Sequence, residues 1–187
     1  LSPLSFDERH RLSANIDYRY GSGIQYNGPR WFGADVFSEA GISLQANAAS
    51  GRPYTKEQRP DRFGSSGVGG ATNGARLPWN FSLDMRIDKS FRIAGKENGK
   101  PLFMNVYLRV ENLLDQRNVV GVYAASGSAY DDGYLVTPNG QSSIQTLIDS
   151  GREEDVDNYL ISYQWGELVP GFFTLPRRVY LGAVLQF

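Results

Sequence analysis

The chain has no cysteine, one histidine and two methionines in 187 residues. Without cysteine it can form neither a disulfide nor a thiolate metal site, and its redox compartment stays open. The single histidine, His10, has no second imidazole to join it in a metal or catalytic set, so it is expected to be a rim residue at a strand start. Net charge is also scarce, since 19 basic and 20 acidic side chains sum to −1. That balance argues against a nucleic-acid partner and against electrostatic binding to a membrane surface. There is no run of about 18 apolar residues, which excludes a transmembrane helix but not membrane-spanning strands. The opening Leu1-Ser2-Pro3 lacks an initiator Met, a basic segment and an apolar signal core. The expectation is a mature chain or the C-terminal part of a longer one.

The chain is rich in glycine (21 residues), in aromatic side chains (13%) and in period-two alternation. In the first alternating segment, Leu12, Ala14, Ile16, Tyr18 and Tyr20 oppose Arg11, Ser13, Asn15, Asp17 and Arg19. Over 36–48 the face Val36, Ser38, Ala40, Ile42, Leu44, Ala46 and Ala48 repeats the pattern. Over 79–88 the apolar set is Trp79, Phe81, Leu83, Met85 and Ile87. Over 102–111 it is Leu102, Met104, Val106, Leu108 and Val110. The last segment carries Val179, Leu181, Ala183, Leu185 and Phe187, and ends on that aromatic. Side chains alternate faces along a strand, so each segment reads as a strand with one apolar face.

Strand length separates a soluble sandwich from a membrane barrel. Soluble strands usually run about five or six residues, whereas crossing a bilayer takes roughly nine to eleven. All five segments reach the longer range. Full charges stand mid-strand on the polar face: Asp17, Arg19, Asp84, Arg86, Arg109 and Glu111. They are expected to face an aqueous lumen, where they pair across neighbouring strands, line a substrate path or contact a domain inside the barrel. Tyr18, Tyr20, Trp79 and Phe81 at strand ends fit interfacial girdles. The expected class is therefore all-β, an antiparallel transmembrane β-barrel segment in the cell outer membrane, surrounded by outer-membrane lipids. A soluble carbohydrate-binding sandwich is the non-membrane alternative.

Loop lengths agree with that reading. The connection 93–101 is short, 21–33 is intermediate, and 49–78 and 124–176 are long. Placing Phe187 at the inner end puts both long connections on the outer side. Within the last of them, a short helix is expected over 141–149 and a short strand over 159–165.

No catalytic constellation can be assembled, and an enzyme is not expected. The glycine-rich 64–70 stretch lacks the Lys-Ser/Thr of a phosphate loop and reads as a flexible loop. Asp131-Asp132-Gly133 and Glu153-Glu154-Asp155-Val156-Asp157 could offer oxygens to calcium, but neither has EF-hand spacing. The expectation is solvated acidic loops with no metal or cofactor.

The run Asn105-Val106-Tyr107-Leu108-Arg109-Val110-Glu111-Asn112-Leu113-Leu114-Asp115 resembles the penultimate-strand signature of TonB-dependent outer-membrane receptors, with Asn112, Leu113, Leu114 and Asp115 as its core. Phe6-Asp7-Glu8-Arg9-His10, Leu77-Pro78-Trp79-Asn80-Phe81, Asp84-Met85-Arg86, Val122-Tyr123-Ala124 and Asp131-Asp132-Gly133-Tyr134-Leu135 are similar to its Oar-like branch. The resemblance covers nearly the whole chain. It implies that residues 1–187 are about five strands of a larger, 22-stranded barrel. The remaining barrel strands, the plug domain and the TonB-contacting region would then lie outside this chain. It also implies that Val179, Leu181, Ala183, Leu185 and Phe187 form the signal read by the barrel assembly machinery. Energised uptake of a ligand across the outer membrane is the implied function. One alternative is a barrel component of a larger assembly for surface-protein export or attachment, with Trp165, Phe172 and Phe173 as a docking surface. A passive porin fits the Asn112–Asp115 signature less well.

Overall fold

The computed structural model describes residues 2–94 and 101–186. In chain order the elements are β1 (Arg11–Arg19), β2 (Ala40–Ala49), β3 (Pro53–Tyr54), β4 (Glu57–Asp61), β5 (Gly64–Val68), β6 (Ala75–Arg76), β7 (Asn80–Ala94), β8 (Leu102–Glu111), α1 (Pro138–Asp149), α2 (Glu154–Gly166) and β9 (Arg178–Gln186). The chain divides into two compact units. One gathers Leu1–Arg11, Ala49–Asn80 and Arg117–Leu175, and the other Leu12–Ala48, Phe81–Gln116 and Pro176–Phe187.

The second unit is a five-stranded antiparallel sheet in the order β1-β2-β7-β8-β9. It is open, with β1 and β9 at its edges. Register follows hydropathy: Met104 pairs with Leu185, Val106 with Ala183, Leu108 with Leu181 and Val110 with Val179. On the other side of β8, Met85 pairs with Val110, Ile87 with Leu108 and Phe91 with Met104. A slip of one residue would put every apolar side chain on the charged face, so the pattern fixes the register.

Strand bounds differ from the alternation in two places. The second strand begins at Ala40 rather than residue 36, because Ser38 and Ala40 donate to the Asp35 and Phe37 carbonyls in a turn that puts Glu39 at φ 59°. The third runs for 15 residues, well past Asp88. Lys89 breaks the alternation without ending the strand. It sits opposite Val106 on the apolar face, and its ammonium bonds the Val36 carbonyl and lies 5.1 Å from the Phe91 ring centre. Its stem covers apolar surface while its charge finds a carbonyl. Most of the expected 93–101 turn (95–100) and the terminal Phe187 lie outside the described residues.

The first unit holds the structure that the sequence left as loops. The 64–70 stretch is not a flexible loop but contains β5, paired with β4 from Glu57↔Val68 to Asp61↔Gly64. β3 and β6 form a second, shorter pair. The expected helix is present as α1, beginning at Pro138, with the Thr137 hydroxyl accepting from the Gly140 N–H. The strand expected over 159–165 is instead part of α2, whose first turn carries Glu154, Asp155 and Asp157. Acidic side chains favour the positive end of a helix, and Tyr163 and Glu167, four apart, are the buried positions of that segment. With helices at 17% against 39% strand, the class is mostly β rather than all-β.

Candidate functional site

The five-stranded sheet is chemically two-sided. Its apolar side is exposed: Leu12 66%, Ile16 64%, Phe81 51%, Leu181 79% and Leu185 56%. Among the described residues of that side, only Val110 is buried, at 6% exposed.

The other side carries a polar network that two glycines make possible. A Cβ at Gly41 would stand 2.8 Å from Arg19 Nη2. Its absence lets Arg19 lie across β2 and donate to both Asp88 carboxylate oxygens at 2.9 and 2.8 Å. Asp88, 8% exposed, also accepts from Asn105 Nδ2 at 2.9 Å, and that nitrogen donates to the Ser90 hydroxyl. At Gly182 a Cβ would fall 2.5 Å from the Tyr107 hydroxyl. Tyr107 therefore lies over β9, and the Arg86 guanidinium sits 4.5 Å from its ring centre. Glu111 takes Arg109 at 2.8 Å and Arg178 at 2.7 Å.

All six expected polar-face charges are thus strand residues, and Arg19, Arg86, Arg109 and Glu111 enter the pairings just described. Asp84 is spent differently, accepting the Asn112 N–H at 2.9 Å. Asp17 makes no ion pair among the described residues. Asp88, Asn105, Tyr107 and Arg178, not singled out among the expected charges, sit at the same alternating positions, which the period-two pattern places on this face.

The Asn112-Leu113-Leu114-Asp115 segment is a clip at the end of β8. Asn112 and Asp115 both sit in the left-handed region, at φ 54° and 52°. The Asn112 side chain accepts from the Gln116 N–H at 2.9 Å and donates to the Gln116 carbonyl at 3.1 Å. The Leu113 N–H reaches the Leu83 carbonyl at 2.7 Å. Asp115 accepts the Arg177 N–H at 2.9 Å, just before β9. One four-residue turn therefore ties β7, β8 and the start of β9. Asparagine suits it because its short amide bonds the backbone and tolerates positive φ.

Val179, Leu181, Ala183 and Leu185 share the apolar face of β9 and are all exposed. At the opposite end of the sheet from the clip, Tyr18 meets Tyr20 edge-on at 5.1 Å, and Tyr20 contacts Tyr26 and Phe37. His10 is exposed and stacks on Trp79 at 6.0 Å.

The first acidic segment does not match the expectation of a solvated loop, whereas in the second Glu153, Glu154 and Asp157 are exposed at the start of α2. Asp132 is fully buried. One of its oxygens accepts from the Phe63 N–H at 3.0 Å and the Tyr163 hydroxyl at 2.6 Å, and the other from the Tyr134 N–H at 2.8 Å. Three donors replace the water lost on burial. Glu167, which sequence reading missed, accepts the Asp132 N–H at 2.9 Å. Burial pushes its carboxyl above the ordinary carboxylate range, with the Asp132 and Asp131 charges adding to the rise. Burial also raises the Tyr163 hydroxyl strongly, and its bond to Asp132 adds to this. Oxygens of Asp131, Asp132 and Glu167 lie within 4.8 Å of one another. The three donors around Asp132, and the Asp132 N–H held by Glu167, account for that closeness. In the second acidic segment, Arg152 pairs with Asp155 at 2.6 Å. Of the expected docking aromatics, Trp165 is 71% exposed. Phe172 and Phe173 are half-buried against Tyr123 and Tyr130.

Comparison of the chain with protein-family models, curated proteins and solved structures finds no match.

Proposed function

We propose that the chain is part of a transmembrane β-barrel of the outer membrane and serves a TonB-dependent receptor that takes up a ligand by energised transport. The supporting observation is the exposed apolar face of the sheet, with Leu12, Ile16, Phe81, Leu181 and Leu185 each more than half exposed, backed by a face of paired charges. In water, such a face is an aggregation surface. In lipid it is the stable arrangement, provided both open edges are paired by further strands. The Asn112–Asp115 clip adds the family resemblance. On this reading β9 is the strand read by the barrel assembly machinery, and the plug and TonB-contacting segment are supplied from outside these residues.

A second reading, a component of a surface-protein export or attachment assembly, is favoured by one feature. Ile161, Trp165 and Leu168, spaced four and three apart along and just past α2, are 53%, 71% and 54% exposed. They form an apolar stripe suited to a protein partner.

The test is extraction from native membranes in mild detergent, followed by intact-mass measurement after denaturation. Recovery in the outer-membrane fraction, in a polypeptide several times longer than 187 residues, is the expected result. A chain of about 20.8 kDa that co-purifies with a second protein favours the assembly reading. Recovery only in the soluble fraction overturns both.

A further inference from the structure

The polar face contains one pairing that its own chemistry does not explain. Arg86 on β7 and Arg109 on β8 are direct cross-strand partners. Like charges directly opposite one another destabilise a sheet. Carboxylates elsewhere on this face relieve the repulsion only in part. Asp88 is occupied by Arg19, bound through both oxygens, and stands 3.9 Å from Arg86, beyond hydrogen-bond reach. Glu111 is shared between Arg109 and Arg178.

Both arginines line a single cavity of about 200 Å³, together with Ser43 and Gln45 of β2 and Asp84 of β7. That volume equals roughly six to seven waters, room for a carboxylate and the atoms next to it. A guanidinium offers five N–H donors, and the contacts described leave donors on both unspent. Both side chains are also held in place, Arg86 against the Tyr107 ring at 4.5 Å and Arg109 by Glu111 at 2.8 Å. Pre-positioned groups lose less entropy when a ligand arrives.

We infer that the cavity between Arg86 and Arg109 is a binding site for a singly charged carboxylate, the acidic end of a ligand that crosses the polar face. The net charge of its lining selects that class. Two guanidiniums against Asp84 leave one positive charge, which matches a carboxylate and leaves a doubly charged phosphate under-compensated by one charge. One Asp84 oxygen accepts the Asn112 N–H; the second can accept a donor two or three atoms from the carboxylate, as the amide of a peptide C-terminus supplies. An anion between the arginines turns their repulsion into shared charge-assisted hydrogen bonds. The site rests on the reading of this face as the ligand path.

The experiment uses the protein as purified from its native membrane in detergent, with acetyl-glycyl-glycine as the probe and its C-terminal amide and inorganic phosphate as comparisons. Calorimetric titration is expected to give at least tenfold tighter binding for the acid than for either comparison. Arg86→Gln and Arg109→Gln each weaken the acid at least tenfold, and Glu154→Gln on α2 leaves it unchanged. Ser43→Leu fills the cavity without removing a charge and abolishes binding, which separates the site from a general effect on folding. The inference is overturned if the acid does not bind the unmodified protein, if phosphate binds as tightly, or if Ser43→Leu and both arginine variants bind normally. Binding in detergent requires no transport, so these failures leave the membrane placement untouched. Binding by the unmodified protein with no uptake into cells that carry it would instead count against the transport reading.

Discussion

Replacing Asn112 tests the account of the clip most directly, because the clip makes separable demands on that residue. The first demand is backbone: φ of 54° is a region where an ordinary side chain costs about 1–2 kcal/mol and where asparagine and glycine are at home. The second is the pair of side-chain bonds to Gln116, at 2.9 and 3.1 Å, each contributing about 0.5–1.5 kcal/mol net. Asn112→Ala loses both and is expected to cost about 2–5 kcal/mol. Asn112→Gly loses only the bonds but adds an unfolded-state entropy term, about 1.5–4 kcal/mol in all. The difference between the two variants is the backbone contribution less the glycine entropy term. Urea unfolding of the detergent-solubilised protein, followed by tryptophan fluorescence, gives both values from the midpoint and slope. If Asn112→Ala lies within about 0.5 kcal/mol of the parent, or is no worse than Asn112→Gly, the clip is not stabilising the junction of β7, β8 and β9.

Three further outcomes follow from the same structure. Leu181→Arg, on the exposed apolar face of β9, is expected to cut assembly into liposomes by about 2–4 kcal/mol if the face meets lipid, whereas a water-facing site would tolerate it. Folding assays with and without lipid read the difference. Asp132→Ala leaves the Phe63 and Tyr134 N–H groups and the Tyr163 hydroxyl without their acceptor. A loss of roughly 3–5 kcal/mol in the first unit is expected, seen as rapid protease cleavage within Ala49–Asn80 and Arg117–Leu175 while the strands resist. Burial raises the Glu167 carboxyl above its ordinary value of 4.5, so the folded state binds its proton more tightly than the unfolded state does. Its stabilising contribution is full below about 4.5 and declines as pH rises through the raised value. Hydrogen exchange around residues 117–175 should therefore quicken across that interval. Glu167→Gln should flatten the dependence, and an unchanged profile in that variant would assign it to another group.

The sheet was legible in the sequence because a period of two is a strong local signal, and the long strands repeat it many times. Even its register follows from keeping Val110, Leu108 and Val106 on the same side as their partners in β9. Lys89 hid the last six of the 15 residues of β7, since an alternation count stops at a charge whose long stem can still cover apolar surface. The connections were harder to read. Gly64–Val68 has little apolar pattern, and its strand state comes from pairing with β4 rather than from its own composition. The Asp132 cluster was illegible for a related reason. It joins Phe63, Tyr134, Tyr163 and Glu167, groups separated by up to about a hundred residues, and no local spacing announces that an acidic pair will be buried. The acidic start of α2 was visible as a cluster of charge but was not taken as a helix N-terminus.

Asp132 also bears on inheritance. Through one carboxylate oxygen it holds the Phe63 N–H, in the turn between β4 and β5, and the hydroxyl of Tyr163 in α2. The two long excursions of the chain are thereby latched at a site with no water to take the place of a missing partner. A graft that exchanged one excursion for a foreign sequence would strand the acceptor or the donors of the other. New surface specificities therefore have to be swapped as a matched pair of loops, in a laboratory chimera as in natural recombination.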